Sequence, residues 1–426
     1  MEESDGNSIK GRIRNMKKIC FIVDSIFTIG GVQRVTAVIA KELAKEYDVT
    51  ILSFDHADKK DTTLYGLNEA NIAYRFISYP KVCYLKKKLC KAFSGIYLKT
   101  QPQSRWCSDL YAKSSYPSEL RKTLLEELKQ GNYDVIIGVH APLAARLATL
   151  REQIPNAKLI GWLHNSYEAL FGEDSHYYIG PKRRRHYIYQ FRKLDKVVVL
   201  CQDDANRFHQ YDKAFLPIVI YNPLTLIPGN PSIGNSKRFL TIGRFTPLHK
   251  GIDLLIEAFH LFSQKNSDWK LDIVGEGPEE KKYRSLIKNY HLEDRITIHP
   301  FTNHIQEYYS NAQVYVLSSR WEGMPLVLVE AMSHGLPVVT SDLPICKEIL
   351  DDFGIYFKNS DVEELAKRLE DATLIDWKAK SEEAFKIAKQ YDVSHIILKW
   401  KQILEEDEQR KDKSENEGES QMEEVR

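Results

Sequence analysis

Apolar residues fall in short runs separated by stretches of helical spacing, and this rhythm occurs twice along the chain. The first run, Lys17 to Asp24, is almost continuously hydrophobic and predicts a buried strand. Gly30-Gly31-Val32 follow as a turn, and Val35 to Leu43 carry apolar positions at helical intervals. Val49 to Phe54, Tyr133 to Val139, Lys158 to Leu163 and Lys196 to Leu200 are further strand candidates, each followed by a helix-like or loop segment. A second series starts at Phe239. Its strands are expected at Phe239 to Ile242, Lys270 to Val274, Ile296 to His299, Val314 to Leu317 and Pro337 to Thr340. Strands alternating with helices predict an α/β fold with parallel sheets covered on both faces.

Two such series in succession predict two Rossmann-like halves facing each other across a cleft. The first half is expected over residues 17–215 and the second over 237–392. Pro217, Pro223, Pro228 and Pro231 mark a linker at 216–236. Beyond Asp361 the pattern is purely helical, with a last helix expected at 393–404. Residues 1–16 form a polar leader. Residues 405–426 are charged and almost free of apolar side chains, which predicts a disordered tail.

Composition narrows the classes of partner. Sixty Lys and Arg oppose 59 Asp and Glu, so no global field attracts nucleic acid. The six cysteines show no C-x-x-C pair, which argues against a zinc site or a disulfide framework and favours a reducing cytoplasm. No secretory leader is evident, and no apolar run approaches the roughly 20 residues needed to cross a bilayer. The expected location is cytoplasmic, with peripheral contact at the inner face of the membrane.

The candidate chemistry centres on Ser319-Arg-Trp-Glu-Gly-Met-Pro-Leu-Val-Leu-Val-Glu-Ala-Met, where seven residues separate Glu322 from Glu330. Gly323 admits unusual backbone geometry, and Pro325 suits the first turn of a helix running from Leu326 to Met332. The N–H groups around Met324, Pro325, Leu326 and Val327 would seat an anion at the positive end of that helix. Carboxylates on either side repel an anion but accept hydrogen bonds from hydroxyls. A sugar nucleotide has that layout of sugar, diphosphate and ribose. Upstream, Arg244 and Lys250 project from one strand-to-helix loop and would supply positive charge to phosphate oxygens. Alone, two basic residues in a loop are usually solvated surface. Their combination with the acidic segment favours function.

Arg244, Lys250-Gly251, Gly275-Glu-Gly-Pro-Glu279 and the segment from Glu322 to Glu330 resemble the ordered signature of retaining glycosyltransferases of family 4, which have the GT-B fold. The resemblance is dense from Arg238 to Asp342; before Leu200 only Gly30-Gly31 and His164 match. It implies that Gly31 lets a donor diphosphate approach its N–H and that Gly275 and its neighbours shape the wall near the nucleotide. It also implies that His164 contacts the transferred sugar near its anomeric carbon, that Glu322 accepts bonds from the sugar hydroxyls and that Glu330 accepts them from the ribose. The last helix would cross back to brace the first half. Bland readings stand beside these. Gly30-Gly31 serves as a tight connection, His164 as a structural residue with His140 as its competitor, and Glu330 as a helix-face carboxylate paired with a surface Lys.

The function expected is transfer of a hexose from a nucleotide sugar, with UDP the favoured nucleotide, to a saccharide or lipid-linked acceptor in capsule or exopolysaccharide synthesis. No cofactor beyond the donor is expected, and the lack of a D-x-D motif fits metal independence. A nucleotide-sugar 2-epimerase and a non-catalytic GT-B partner subunit are the alternatives. Finally, residues 81–105 interleave Lys86, Lys87, Lys88, Lys91 and Lys99 with Leu85, Leu89, Ile96 and other apolar residues. This segment reads either as an element facing an anionic membrane surface or as a solvated helix.

Overall fold

The computed structural model describes residues 16–78, 80–172, 179–232 and 234–406. Residues 1–15 of the expected leader over 1–16, and residues 407–426 of the expected tail over 405–426, lie outside the described residues. Two parallel sheets organise the rest. The first contains β1 Lys18–Val23, β2 Asp48–Ser53, β3 Ile72–Phe76, β4 Val135–Val139, β5 Lys158–Trp162, β6 Lys196–Val199 and β7 Ile218–Val219, in the order β3-β2-β1-β4-β5-β6-β7. The second contains β8 Arg238–Ile242, β9 Lys270–Val274, β10 Ile296–His299, β11 Val314–Leu317, β12 Val338–Ser341 and β13 Ile355–Phe357, in the order β10-β9-β8-β11-β12-β13.

The central strands are buried along nearly their whole length, as β1, β4, β5 and β11 show. This explains why they read as continuous apolar runs rather than as alternating ones. Three strands escaped the sequence pattern. Ile72–Phe76 lies at a sheet edge and is mostly half-exposed, and Ile355–Phe357 is a three-residue edge strand. Ile218–Val219 extends the first sheet into the expected linker, because it pairs with Val198 and Val199 despite Pro217. Both sheets reverse direction of growth beside their first strand, between β1 and β4 and between β8 and β11. Ligands of open parallel sheets bind at the carboxyl ends of strands flanking such a reversal.

The last helix runs over residues 393–406, two residues past its expected end. It braces the first half as the family resemblance implied. Trp400 packs on Trp162 with centroids 4.7 Å apart, the Lys17 Nζ donates to the Leu404 carbonyl at 3.0 Å, and Lys401 pairs with Glu46 at 2.7 Å. Ile396, Ile397, Trp400, Ile403 and Leu404 join a core that includes residues of both sheets. Between β3 and β4 the first half carries three helices, Tyr84–Thr100, Arg105–Ser115 and Ser118–Gly131. Among the described residues no helix is long and apolar enough to cross a membrane.

Candidate active site

Every candidate side chain leaves the carboxyl end of a central strand. Gly30 and Gly31 follow β1, His140 follows β4, His164 follows β5, Arg244 and Lys250 follow β8, and Glu322 follows β11. The two sets meet. The Arg244 guanidinium donates to the carbonyl of Ile29, and a Cβ at Gly31 would touch the Leu326 side chain at 3.5 Å. The turn after β1 therefore abuts the start of the helix Leu326–Met332. Tyr65 fixes that turn: its hydroxyl accepts from the Gly30 N–H at 2.8 Å and donates to the Thr28 carbonyl at 3.0 Å.

Lys250 and Glu322 form the centre of the second half's contribution. Lys250 Nζ lies 2.7 Å from Glu322 Oε1, and the Ser319 hydroxyl donates to the same oxygen at 2.6 Å. Burial raises the Glu322 carboxyl, but Lys250 and His249 outweigh it and hold the group below the ordinary carboxylate value. His249 stacks on Trp321 at 5.0 Å, nearly parallel, and so fixes the loop beside the acid. Arg320 grips Asp253 through two bonds of 3.1 and 3.2 Å, tying this segment to the helix that follows Lys250. Gly275 backs the same loop: its φ is 154°, and a Cβ there would lie 2.0 Å from the Gly243 carbonyl oxygen.

Gly323 joins the halves by its lack of a side chain. A Cβ at that position would lie 2.4 Å from the carbonyl oxygen of His164, so only glycine permits this approach. His164 thus sits next to Glu322, while its ring packs on Trp162 and His140 at 4.3 and 5.4 Å. Its Nε2 is buried without a hydrogen-bond partner among the described residues. Burial, with His140 beside it, lowers His164 well below the usual imidazole value and keeps it neutral. His140, also held down by burial, occupies a φ of 76° at the start of its helix. Both histidines reach the site; His164 alone supplies the carbonyl against Gly323.

Two expectations change. Pro325 stands one position earlier than expected, before the helix rather than in its first turn. Glu330 is fully buried, and the protein groups that meet its carboxylate are Arg34 and Tyr309 rather than a surface Lys. Arg34 of the first half donates to Oε1, and the Tyr309 hydroxyl donates to Oε2 at 3.0 Å. Met324 is buried and its sulfur accepts from the Asn222 N–H at 2.9 Å, so its side chain anchors the linker. Leu326 and Val327 are half-buried at the helix start.

Arg34, Tyr65 and Tyr309 were not singled out from sequence. Arg34 could have been found, since it lies in the first turn of the helix after Gly30-Gly31. Tyr65 and Tyr309 carry no local signal. Among the described residues no cluster of three or more His, Cys, Asp or Glu could hold a metal ion.

The family described as Glycosyltransferase Family 4 matches residues 29–226, and that described as Glycosyl transferases group 1 matches residues 225–390. The chain is 28% identical to an uncharacterized glycosyltransferase of Haemophilus influenzae, over 91% of this chain and all of the relative. It is 26% identical to the amylovoran biosynthesis glycosyltransferase AmsD of Erwinia amylovora, again over 91% of this chain and all of the relative. Among solved structures, Anabaena HepE in complex with UDP and glucose superposes with a TM-score of 0.67 at 20% identity, covering 91% of this chain and 99% of HepE.

Proposed function

Since the chain belongs to glycosyltransferase family 4 and has the GT-B fold, we propose that it moves a hexose from a UDP-sugar to a saccharide acceptor, with retention of anomeric configuration. The observation that carries this reading is the meeting of Lys250 and Glu322 with the His164 carbonyl across Gly323. It places a cation, a carboxylate and first-half backbone at one point between the two strand-end sets.

Breaking the sugar–phosphate bond leaves an anionic diphosphate and an oxocarbenium-like sugar. Arg244, Lys250 and the N–H groups opening the helix Leu326–Met332 stabilise the diphosphate as its charge develops. Glu322 accepts bonds from the sugar hydroxyls. Glu330 accepts from the ribose, sharing a carboxylate already held by Arg34 and Tyr309. The acceptor hydroxyl attacks the anomeric carbon from the face the diphosphate leaves, and its proton passes to the departing phosphate oxygen. His164, neutral, orients the sugar rather than supplying a proton. The reaction then needs neither a metal nor a cofactor beyond the donor.

The acceptor is proposed to be a lipid-linked saccharide of capsule or exopolysaccharide synthesis at the inner membrane face. The relationship to an amylovoran enzyme supports the polysaccharide context, and the bound UDP of a structural neighbour supports the donor class. A thermal-shift panel of UDP-glucose, UDP-galactose, their N-acetyl forms and GDP-mannose, followed by UDP-release assays with and without acceptor, tests the proposal. A UDP-sugar should raise the melting temperature, and UDP release should require acceptor. Acceptor-independent release with an isomerised sugar would assign a 2-epimerase. Stabilisation by no donor would assign a non-catalytic subunit.

A further inference from the structure

A second concentration of charge lies in the first half, away from the cleft. Helices Tyr84–Thr100 and Arg105–Ser115 form a hairpin, and beside it runs the helix Arg184–Phe191. Between them is a cavity of about 160 Å³ faced by Arg105, Arg185 and Arg192, with Tyr97, Tyr189 and Tyr211 around it. The acid in its lining, Asp212, is paired with Arg192 at 3.1 Å. Among the described residues neither Arg105 nor Arg185 has a carboxylate partner. Arg105, Arg185 and Arg192 are exposed, so water screens their mutual repulsion, and their gathered N–H forks offer donors to an anion placed between them.

The cavity is separate from the cleft. Tyr211 and Asp212 end the helix that leaves the carboxyl end of β6, and Arg192 lies four residues before that strand begins. It therefore lies toward the amino ends of the strands, opposite the carboxyl ends that hold the candidate active site.

The surface beside it shows what brings the anion. Leu85, Leu89 and Ile96 stand exposed on Tyr84–Thr100 and fall within about 40° of one another on the helix. Lys88 and Lys99 border one side of this stripe, and Lys87 and Lys91 are also exposed. Trp106 is 71% exposed and follows Arg105 directly, so an apolar wedge adjoins the cavity. A free anion would leave these apolar side chains in water, whereas a lipid surface covers them and offers phosphates to the arginines.

We propose that this cavity seats the phosphate of an anionic lipid headgroup, while the exposed stripe of the hairpin enters the interface. The Arg105 and Arg185 forks donate to the phosphate oxygens, and the lysines lie over neighbouring headgroups. This deepens the membrane-facing reading of residues 81–105 by giving it a defined headgroup site.

The test is flotation of the full chain with phosphatidylcholine vesicles, with and without about one third phosphatidylglycerol, comparing two double variants of equal charge loss. Wild type should bind the anionic vesicles and be displaced by glycerol phosphate at constant ionic strength. K87Q/K88Q should bind about tenfold more weakly through lost surface charge, yet still be displaced. R105Q/R185Q should bind at least tenfold more weakly than K87Q/K88Q and not respond to glycerol phosphate. Equal losses in the two variants, with displacement in neither, would overturn the headgroup site and leave diffuse attraction. Failure of wild type to bind anionic vesicles would overturn the membrane reading as well, and glycerol phosphate binding in that case would assign a soluble anion. The exposed positions leave folding intact, and UDP-induced thermal shift in every variant reports separately on the transferase reading.

Discussion

The two halves share a sheet plan but store their chemistry differently. The second half presents side chains: Arg244, Lys250, Glu322 and Glu330 all stand on two loop-to-helix segments. The first half presents mainly backbone and small residues, namely the Ile29 carbonyl, the His164 carbonyl and the bare Gly31. Charged donor groups call for charged side chains at fixed spacing, whereas closing a second wall over them calls for close approach. One half is therefore sensitive to loss of charge and the other to gain of volume. Arg34 is the exception, a first-half cation that reaches a second-half acid.

Removing charge should produce the largest effect. Lys250→Ala should lower kcat by about a hundredfold in a UDP-release assay, because one preorganised electrostatic contact to the leaving group is lost. It also leaves Glu322 buried without its nearest cation. A kcat within twofold of wild type would place the chemistry elsewhere.

Breaking the exception should come next. Arg34→Gln leaves the fully buried Glu330 with the Tyr309 hydroxyl but without its cation and should cost about 3 kcal/mol of stability in urea unfolding. The companion Arg34→Gln/Glu330→Gln should recover most of that loss, since no unpaired charge remains. Without recovery, the pair would not be coupled.

Adding volume should be milder. Gly323→Ala sets a methyl against the His164 carbonyl and should weaken UDP affinity about tenfold through a displaced loop, an effect on the order of 1–2 kcal/mol. Loss of kcat with unchanged affinity would contradict a role in wall closure.

The smallest effect is on pH dependence. The Glu322 carboxyl is depressed below 4.5 in the folded chain, so its contribution to stability is present above pH 4.5 and is lost as pH falls through the folded value. His164 is depressed below 6.5, so its contribution is full above that pH and declines as pH falls below it. His164→Asn should make melting temperature fall less steeply as pH drops below 6.5, with the remaining slope carried by His140, His186, His249 and His334, while leaving the Glu322 limb in place.

The same contrast explains what could be read from sequence. Central strands were legible because burial on both faces makes them uniformly apolar, and the second-half site was legible because its residues lie within short segments. Edge strands β3 and β13 were not, since half-exposure breaks their pattern. Tyr65 and Tyr309 act through contacts distant in sequence, and nothing local marks them. The acids at 322 and 330 were found together, yet their differing environments were not: Glu322 sits against Lys250 and Ser319 of its own half, while Glu330 meets Arg34 of the first half. A linear spacing carries no information about which helix covers which carboxylate.

Calorimetric titration of UDP into the full chain, alongside Arg244→Ala and Lys250→Ala, tests the central claim most directly. The account predicts saturable binding to wild type and at least tenfold weaker binding in each variant, because each loses a charge-assisted contact to the diphosphate. Binding of equal strength in all three proteins would contradict it.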